Sequence, residues 1–450
     1  MTTVKLPIRT KLGFGVCDLG GNLFFTAMGF WSLNYLTDTV GLAAGLAGLA
    51  VMIGKLWDAV TDPMMGYISD RTRSRWGRRR PYMLFGALPL FLAMWLFFTK
   101  PPFSGQIMLF IWASLALMLL NTAYTVVNIP YSSLTPELTD DYHERSSLNG
   151  FRFGFAVIGT ILGAAAVQPI IGAFGKTGGP VAGFSAVGLI LGLVMAATAL
   201  VTFLSVREHG HANKELPTEG FFETYLAVFK NKPYVIILAT YALNLTALNF
   251  VQGILVYYTK YIYGNEGLTT PAMIILLLVA MACIPVSVLV SRRVGKKLTY
   301  QISFAVLATA CASIYLFGDR LGENFFLAMM AFAGIGIGFG YVPPWAMIPD
   351  AVEYDAVMTG KRKEGAFYGM WTFASKVGQS LSIFASGLIL SFGGYVAEAA
   401  QGEGAKTAIR LLVGPIPFVV FIAAIILVQT YPLDEKTYKD LLAKGKEGQA

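Results

Sequence analysis

Long apolar runs constrain this chain more than any other feature of it. Met83 to Thr99, Phe184 to Leu204 and Pro415 to Gln429 contain no charged residue. At about 1.5 Å of rise per residue, each is long enough, or nearly so, for a hydrocarbon core of about 30 Å. Inside such a core every backbone N–H and C=O needs a partner, so runs of this length read as helices. Charged residues make up 13% of the chain, against roughly a quarter in a soluble domain, so most of its surface faces something other than water. Apolar length set against polar breaks predicts about twelve spans, near 13–36, 45–69, 82–99, 107–135, 148–172, 183–205, 233–262, 269–290, 299–317, 324–348, 366–394 and 408–430. The expected fold class is an all-α membrane protein.

The net charge of +8 is distributed as a membrane topology signal. Basic residues gather in alternate connections: Lys5 to Lys11, Arg71 to Arg80, Arg207 to Lys232, Arg292 to Lys297, Lys361 to Lys363, and the tail after Lys436. The intervening loops carry few. This positive-inside pattern places both termini in the cytoplasm and argues against a nucleic-acid partner. Cys17, Cys283 and Cys311 all fall in apolar segments with no disulfide or zinc spacing, and read as small buried hydrophobes. Met1 to Lys11 runs into the first span without a small-residue cleavage site. No phosphate loop, nucleophile triad or zinc signature is present, so the chain is not read as an enzyme.

The polar stretch Arg207 to Phe222 divides the chain into two six-span halves. The expected domains are 1–206 and 233–432, with a cytoplasmic middle loop at 207–232 and a tail at 433–450. His209 and His211 lie in that loop without a third metal ligand. The halves echo each other: Asn128-Ile129-Pro130-Tyr131 leads to Pro136-Glu137, and Val342-Pro343-Pro344-Trp345 leads to Pro349-Asp350. Asp70 to Arg80 likewise has a shorter counterpart in Ser291 to Lys297. Two parallel six-helix repeats about a midplane site is the layout of major-facilitator transporters. Pro130, Pro343 and Pro344 interrupt spans 4 and 10 at matching places, which points to a site or hinge there.

An ionised group at the bilayer centre costs about 3 kcal/mol on insertion scales, so charges within spans are expected to face the interior and to have a role. Lys55, Asp58 and Asp62 share one face of span 2 at spacings of three and four. Their surplus negative charge suits a monovalent cation, with Thr61 or Thr125 as further oxygens, or a proton on a carboxylate. A Lys–Asp pair that only fixes helix packing is the alternative. Asp18 and Asn22 on span 1, Tyr124, Thr125 and Asn128 on span 4, Arg152 on span 5 and Lys376 on span 11 form a second polar set. Hydroxyls, amides, fixed charges and aromatic faces suit a polyhydroxylated solute. Trp31, Tyr35, Tyr341, Trp345 and Trp371 are candidate stacking platforms, although most aromatics in spans are packing residues or anchors. The basic run Trp76 to Arg80 suits either an anionic lipid or a cytoplasmic gate.

The stretch Lys55-Leu56-Trp57-Asp58-Ala59-Val60-Thr61-Asp62-Pro63, followed by Asp70-Arg71-Thr72-Arg73-Ser74-Arg75-Trp76-Gly77-Arg78, resembles the glycoside–pentoside–hexuronide cation symporters. Tyr35-Leu36-Thr37-Asp38, Asn128-Ile129-Pro130-Tyr131 and Asp350-Ala351-Val352-Glu353-Tyr354 extend the resemblance over about residues 11–432. It implies the major facilitator fold in a bacterial inner membrane, a monomer, no cofactor, and Na+ or H+ as coupling ion with a small sugar. Asp58 and Asp62 match the family's cation-site carboxylates, Thr125 the hydroxyl joining them, and Lys55 a basic residue one turn before. Arg152 matches an arginine near the sugar, and Lys376 a lysine between the two sites. Tyr124, Thr372 and Tyr341 fall where sugar-contacting or pocket-closing residues occur. Asp70, Arg71, Asp350 and Glu353, with Lys55 and Lys376, are the implied coupling and gating residues.

The departures are informative. Asn22 and Asn128 stand where aspartates grip galactoside hydroxyls in that family, and Asp18 sits one turn earlier. Ser132 replaces an aromatic, and Thr61 an asparagine near the cation site. A less acidic pocket predicts β-glycosides, pentosides or anionic uronides over α-galactosides. An amphiphile or lysolipid transporter of the same fold and an uncoupled sugar facilitator are the competing readings. A membrane sensor or scaffold would be expected to carry an appended soluble domain.

Overall fold

The computed structural model describes residues 6–139, 142–208, 228–359 and 364–433. His209 and His211, Lys361 to Lys363, most of the expected middle loop and the tail after Leu433 lie outside them. The helices are α1 (Ile8–Asn34), α2 (Ala44–Arg71), α3 (Arg80–Phe97), α4 (Gln106–Ser132), short α5 (Thr135–Leu138), α6 (Tyr142–Ala165), α7 (Val167–Ser205), α8 (Lys232–Tyr261), α9 (Thr269–Val294), α10 (Lys296–Thr359), α11 (Glu364–Phe392), α12 (Glu403–Val413) and α13 (Pro415–Gln429). No strand occurs among the described residues beyond an isolated Arg75–Gly77 bridge.

Among the described residues, ten helical stretches are long and apolar enough to cross a membrane. One is nearly the whole of α10, which Gly322 (φ 76°, ψ −169°) breaks into the ninth and tenth expected spans. The glycine is required there because an L side chain resists that conformation. Helix α1 is less apolar because Lys11, Asp18, Asn22 and several glycines lie on it, yet its 27 residues reach about 40 Å. Twelve crossings result. Boundaries moved where local chemistry acts: span 5, expected at 148–172, ends at Ala165, and Gly179-Pro180 restarts the helix of span 6. Span 12 begins as α12 and turns at Gly414-Pro415 into α13. Pro130, Pro343 and Pro344 sit inside continuous helices.

Contacts divide the chain into two units, Met1–Lys214 with Ile383–Gln401, and Glu215–Ser382 with Gly402–Ala450. In the first, α1 packs on α6 and α7, α2 on α4, and α3 on α4 and α7. Glycines let these backbones meet. A Cβ at Gly159 would lie 2.1 Å from the Leu19 carbonyl oxygen, and one at Gly163 2.6 Å from that of Leu23. This small-residue stripe sets the α1–α6 distance. Replacing Gly159 by leucine is expected to lower stability by about 3 kcal/mol, since backbone cannot retreat as a side-chain tip can. Thermal unfolding of the purified variant checks this. In the second unit, one core gathers Tyr234, Met347, Ile348, Phe367 and Trp371, and another Ala247, Tyr300, Phe304, Phe421 and Val428.

Candidate functional site

Helix periodicity brings Asp58 and Asp62 to the side of α2 that faces α4. The two helices come close because Gly54 carries no side chain: a Cβ there would meet the Leu117 Cβ at 2.8 Å and Asn121 Nδ2 at 3.2 Å. One turn further along, Thr125 Oγ1 lies 2.7 Å from Asp58 Oδ1 and 2.9 Å from Asp62 Oδ1. Asp58 and Thr125 are buried and Asp62 is half-buried. A hydroxyl carries one hydrogen and donates it to one acceptor at a time. With both carboxylates ionised, one of the two short contacts therefore sets lone pair against lone pair. A proton on one carboxylate, or one monovalent cation among the three oxygens, removes that conflict. Thr61 does not join them: its hydroxyl turns back to the Asp58 carbonyl at 3.3 Å. Lys55 is half-buried one turn before Asp58.

The second polar set divides between the units. On α1, Asp18 is held by Arg152 of α6, with Nε to Oδ2 at 2.6 Å and Nη2 to Oδ1 at 3.4 Å, and by the Tyr131 hydroxyl at 2.7 Å. The Arg152 guanidinium also donates to Thr135 Oγ1 at 3.2 Å and lies over the Tyr131 ring at 4.9 Å. Charge, hydrogen bond and ring face together fix its plane. Asn22 Nδ2 folds back on the Asp18 carbonyl at 2.8 Å. Tyr124 stacks on Phe24 with centroids 4.4 Å apart. A Cβ at Gly21 would lie 3.2 Å from the Tyr124 hydroxyl and 3.9 Å from Asn128 Oδ1. Tyr124 and Asn128 thus meet α1 at Gly21.

In the second unit, Trp371 stacks on Tyr241 at 4.1 Å, and Trp345 meets the edge of this pair at 6.0 Å from Trp371. Tyr341 and Trp345 are exposed at 48% and 47%, whereas Trp371 is buried. Thr372 is exposed, its hydroxyl donating to the Tyr368 carbonyl at 3.1 Å, and Lys376 is half-buried one turn on. Two expected platforms are corrected: Trp31 and Tyr35 are both fully buried, with Tyr35 wedged among Phe97, Phe98 and Phe184. Trp371 likewise offers no free face.

Three of the expected gating residues meet partners in their own units. Asp70 pairs with Arg79 at 2.7 Å, Arg71 lies over the Tyr67 ring at 3.4 Å, and Asp350 pairs with Lys296 at 2.5 Å. Glu353 is half-buried one turn after Asp350. Reading by sequence missed Tyr131 as the partner of Asp18, although it ends the Asn128–Tyr131 motif, and missed Tyr241 beneath Trp371. It also missed Glu208, whose carboxylate accepts the backbone N–H groups of Arg78, Arg79 and Arg80 at 2.7, 2.8 and 2.7 Å. Position alone marked Glu208 as linker surface.

The profile of the MFS/sugar transport protein family matches residues 13–435. An uncharacterized symporter of Synechocystis sp. is 30% identical, the match covering 98% of this chain and 97% of that one. The inner membrane symporter YicJ of Escherichia coli is 29% identical over 99% of this chain and 97% of its own. A second Escherichia coli relative, provisionally named a sulfoquinovose importer, is 27% identical over 97% of this chain and 93% of its own. Among solved structures, a variant of the nucleoside transporter NupG superposes with TM-score 0.67 at 15% identity, covering 93% of this chain and 99% of that one. A bacterial homolog of the lysosomal transporter Spinster does so with TM-score 0.66 at 13% identity, covering 95% and 98%. At such identities the structural likeness speaks for the fold, and the match to the profile for the family. This multi-pass membrane protein belongs to the MFS/sugar transport protein family, the major-facilitator group that holds the glycoside symporters.

Proposed function

We propose that this chain is a cation-coupled symporter that carries one monovalent cation, Na+ or H+, together with a glycoside, pentoside or hexuronide by alternating access. The observation that carries the reading is the Thr125 hydroxyl shared by Asp58 and Asp62. Two carboxylates with the one ammonium of Lys55 on the same helix face leave a surplus negative charge that one cation or proton would offset. The sugar side is supported by Tyr124, Asn128 and the Asp18–Arg152 pair in one unit, and by exposed Tyr341, Trp345 and Thr372 with Lys376 in the other. We place the protein in a bacterial inner membrane with both termini cytoplasmic, from the alternation of basic loops. It acts as a monomer without a cofactor.

Coupling through binding is reciprocal: the cation raises sugar affinity by the factor by which sugar raises cation affinity. Sugar binding to the purified protein, titrated over a pH series with and without sodium, reads this factor. An increase of about 5- to 150-fold in affinity with one of the two ions is expected. Identical affinities at every sodium concentration and pH would make the chain a facilitator. A lysolipid bound in place of every sugar would favour the amphiphile reading.

A further inference from the structure

Two of the basic connections, Asp70 to Arg80 and Ser291 to Lys297, are built alike, and one component of the first has no described counterpart in the second. In the first unit, Gly77 (φ 101°) turns the chain into α3. Arg79 pairs with Asp70, and Arg80 donates to the Phe203 carbonyl near the end of α7 at 2.7 Å. The amides at the helix start then hold the Glu208 carboxylate. In the second unit, Gly295 (φ 87°) turns the chain into α10. Lys296 pairs with Asp350 at 2.5 Å, and Lys297 donates to the Gln429 and Tyr431 carbonyls at the end of α13, at 2.6 and 3.2 Å. Turn, ion pair and carbonyl clamp are all repeated.

Where the first unit seats a carboxylate, the second has a cleft of about 730 Å³ lined by Arg292, Arg293, Lys296 and Lys297 against the single carboxylate of Asp350. Lys297 directs its hydrogen bonds to carbonyls, and no carboxylate among the described residues pairs with it. Arg292 and Arg293 are exposed, and no carboxylate among the described residues pairs with either. The first amides of α10 add donors at the positive end of a helix dipole.

We infer that this cleft is a binding site for a phosphate-type anion, seated between the Gly295 turn and the end of α13. Arginine forks and lysine point charges together suit a phosphate group. A phospholipid headgroup and a soluble phosphorylated compound share that chemistry.

The test uses the full chain in phosphatidylcholine nanodiscs, following its unfolding midpoint as inorganic phosphate is added at constant ionic strength. A ligand that binds only the folded state raises the midpoint. The expected result is a rise that saturates, with apparent affinity about tenfold weaker in R292Q/R293Q, whose exposed positions leave the packed interior intact. Repeating the titration with phosphatidylglycerol in the disc separates the sources. If the lipid raises the midpoint and phosphate then adds nothing, the ligand is a headgroup; if phosphate still adds its full effect, the ligand is soluble. Equal shifts in wild type and R292Q/R293Q, or no shift in either disc, would overturn the assignment. So would a response appearing only in Asp434→Asn, since Asp434 follows Gln429 by the five residues that separate Glu208 from Phe203, and the chain's own carboxylate would then be the ligand.

Discussion

Asp62→Asn will abolish gradient-driven sugar accumulation while leaving the protein folded. Asparagine keeps an oxygen acceptor for Thr125 and removes only the charge, so the contact now at 2.9 Å can persist. What is lost is the surplus negative charge that makes a monovalent cation welcome. A coupling free energy of about 1–3 kcal/mol corresponds to a 5- to 150-fold fall in the ion's effect on sugar affinity. The variant also separates the two ions. If the coupling ion is a proton, neutral asparagine resembles the loaded carboxylic acid, and sugar binds at the ion-loaded affinity whatever the pH. If it is sodium, the weakened site loads poorly and sugar binds at the ion-free affinity. Asp58→Asn is expected to act alike, with a larger loss of stability because Asp58 is the more buried. Sugar affinity and uptake measured across pH and sodium concentration check both variants.

The second large effect is expected at Arg152. Removing one partner of a buried ion pair strands the other, at about 3–5 kcal/mol. The side chains of Arg152 and Asp18 retain 22% and 15% exposure, so a value near the lower end is expected for Arg152→Ala. Asp18 would keep the Tyr131 hydroxyl but lose its counter-charge. Asp18→Asn should cost less, because Arg152 keeps Thr135 and two aromatic faces. The double variant should be more stable than the sum of the singles implies, which is the signature of a direct pair. Sugar binding should weaken at least about tenfold in Arg152→Ala, about 1.4 kcal/mol. Thermal unfolding and equilibrium sugar binding on the same preparations separate the two effects.

The helix count and the carboxylate pair were legible in the residues because both rest on periodicity. Apolar length dictates spans in a solvent that offers no hydrogen bonds, and spacings of three and four dictate which side chains share a face. Thr125 was readable with Thr61 as a further oxygen beside the carboxylates, and the α2–α4 contact brings its hydroxyl to both of them. What stayed hidden depends on which face of a helix meets which neighbour. Trp31 and Tyr35 look like stacking platforms until packing buries them. Thr61 looks like a cation ligand, but a threonine inside a helix can satisfy its hydroxyl on a carbonyl three or four residues back. Glu208 belongs to a stretch that reads as solvated linker, and only the turn at Gly77 turns it into a cap on three amides. Gly159 and Gly163 set the α1–α6 distance, and with it the reach of Arg152 to Asp18, although glycines in a span announce close approach without naming the partner.

The central claim is that the Asp58–Asp62–Thr125 site binds a cation whose downhill movement drives sugar uphill. The most direct test is accumulation of a labelled sugar in proteoliposomes under an imposed 100 mV potential, interior negative, with sodium or protons as the only permeant cation supplied to the carrier. One positive charge moving down that potential supplies about 2.3 kcal/mol, enough for about fifty-fold accumulation of a neutral sugar. The account predicts accumulation approaching that value with one of the two ions, and simple equilibration in Asp62→Asn. Equilibration without accumulation by the wild-type protein, with either ion and every sugar carried, would contradict it.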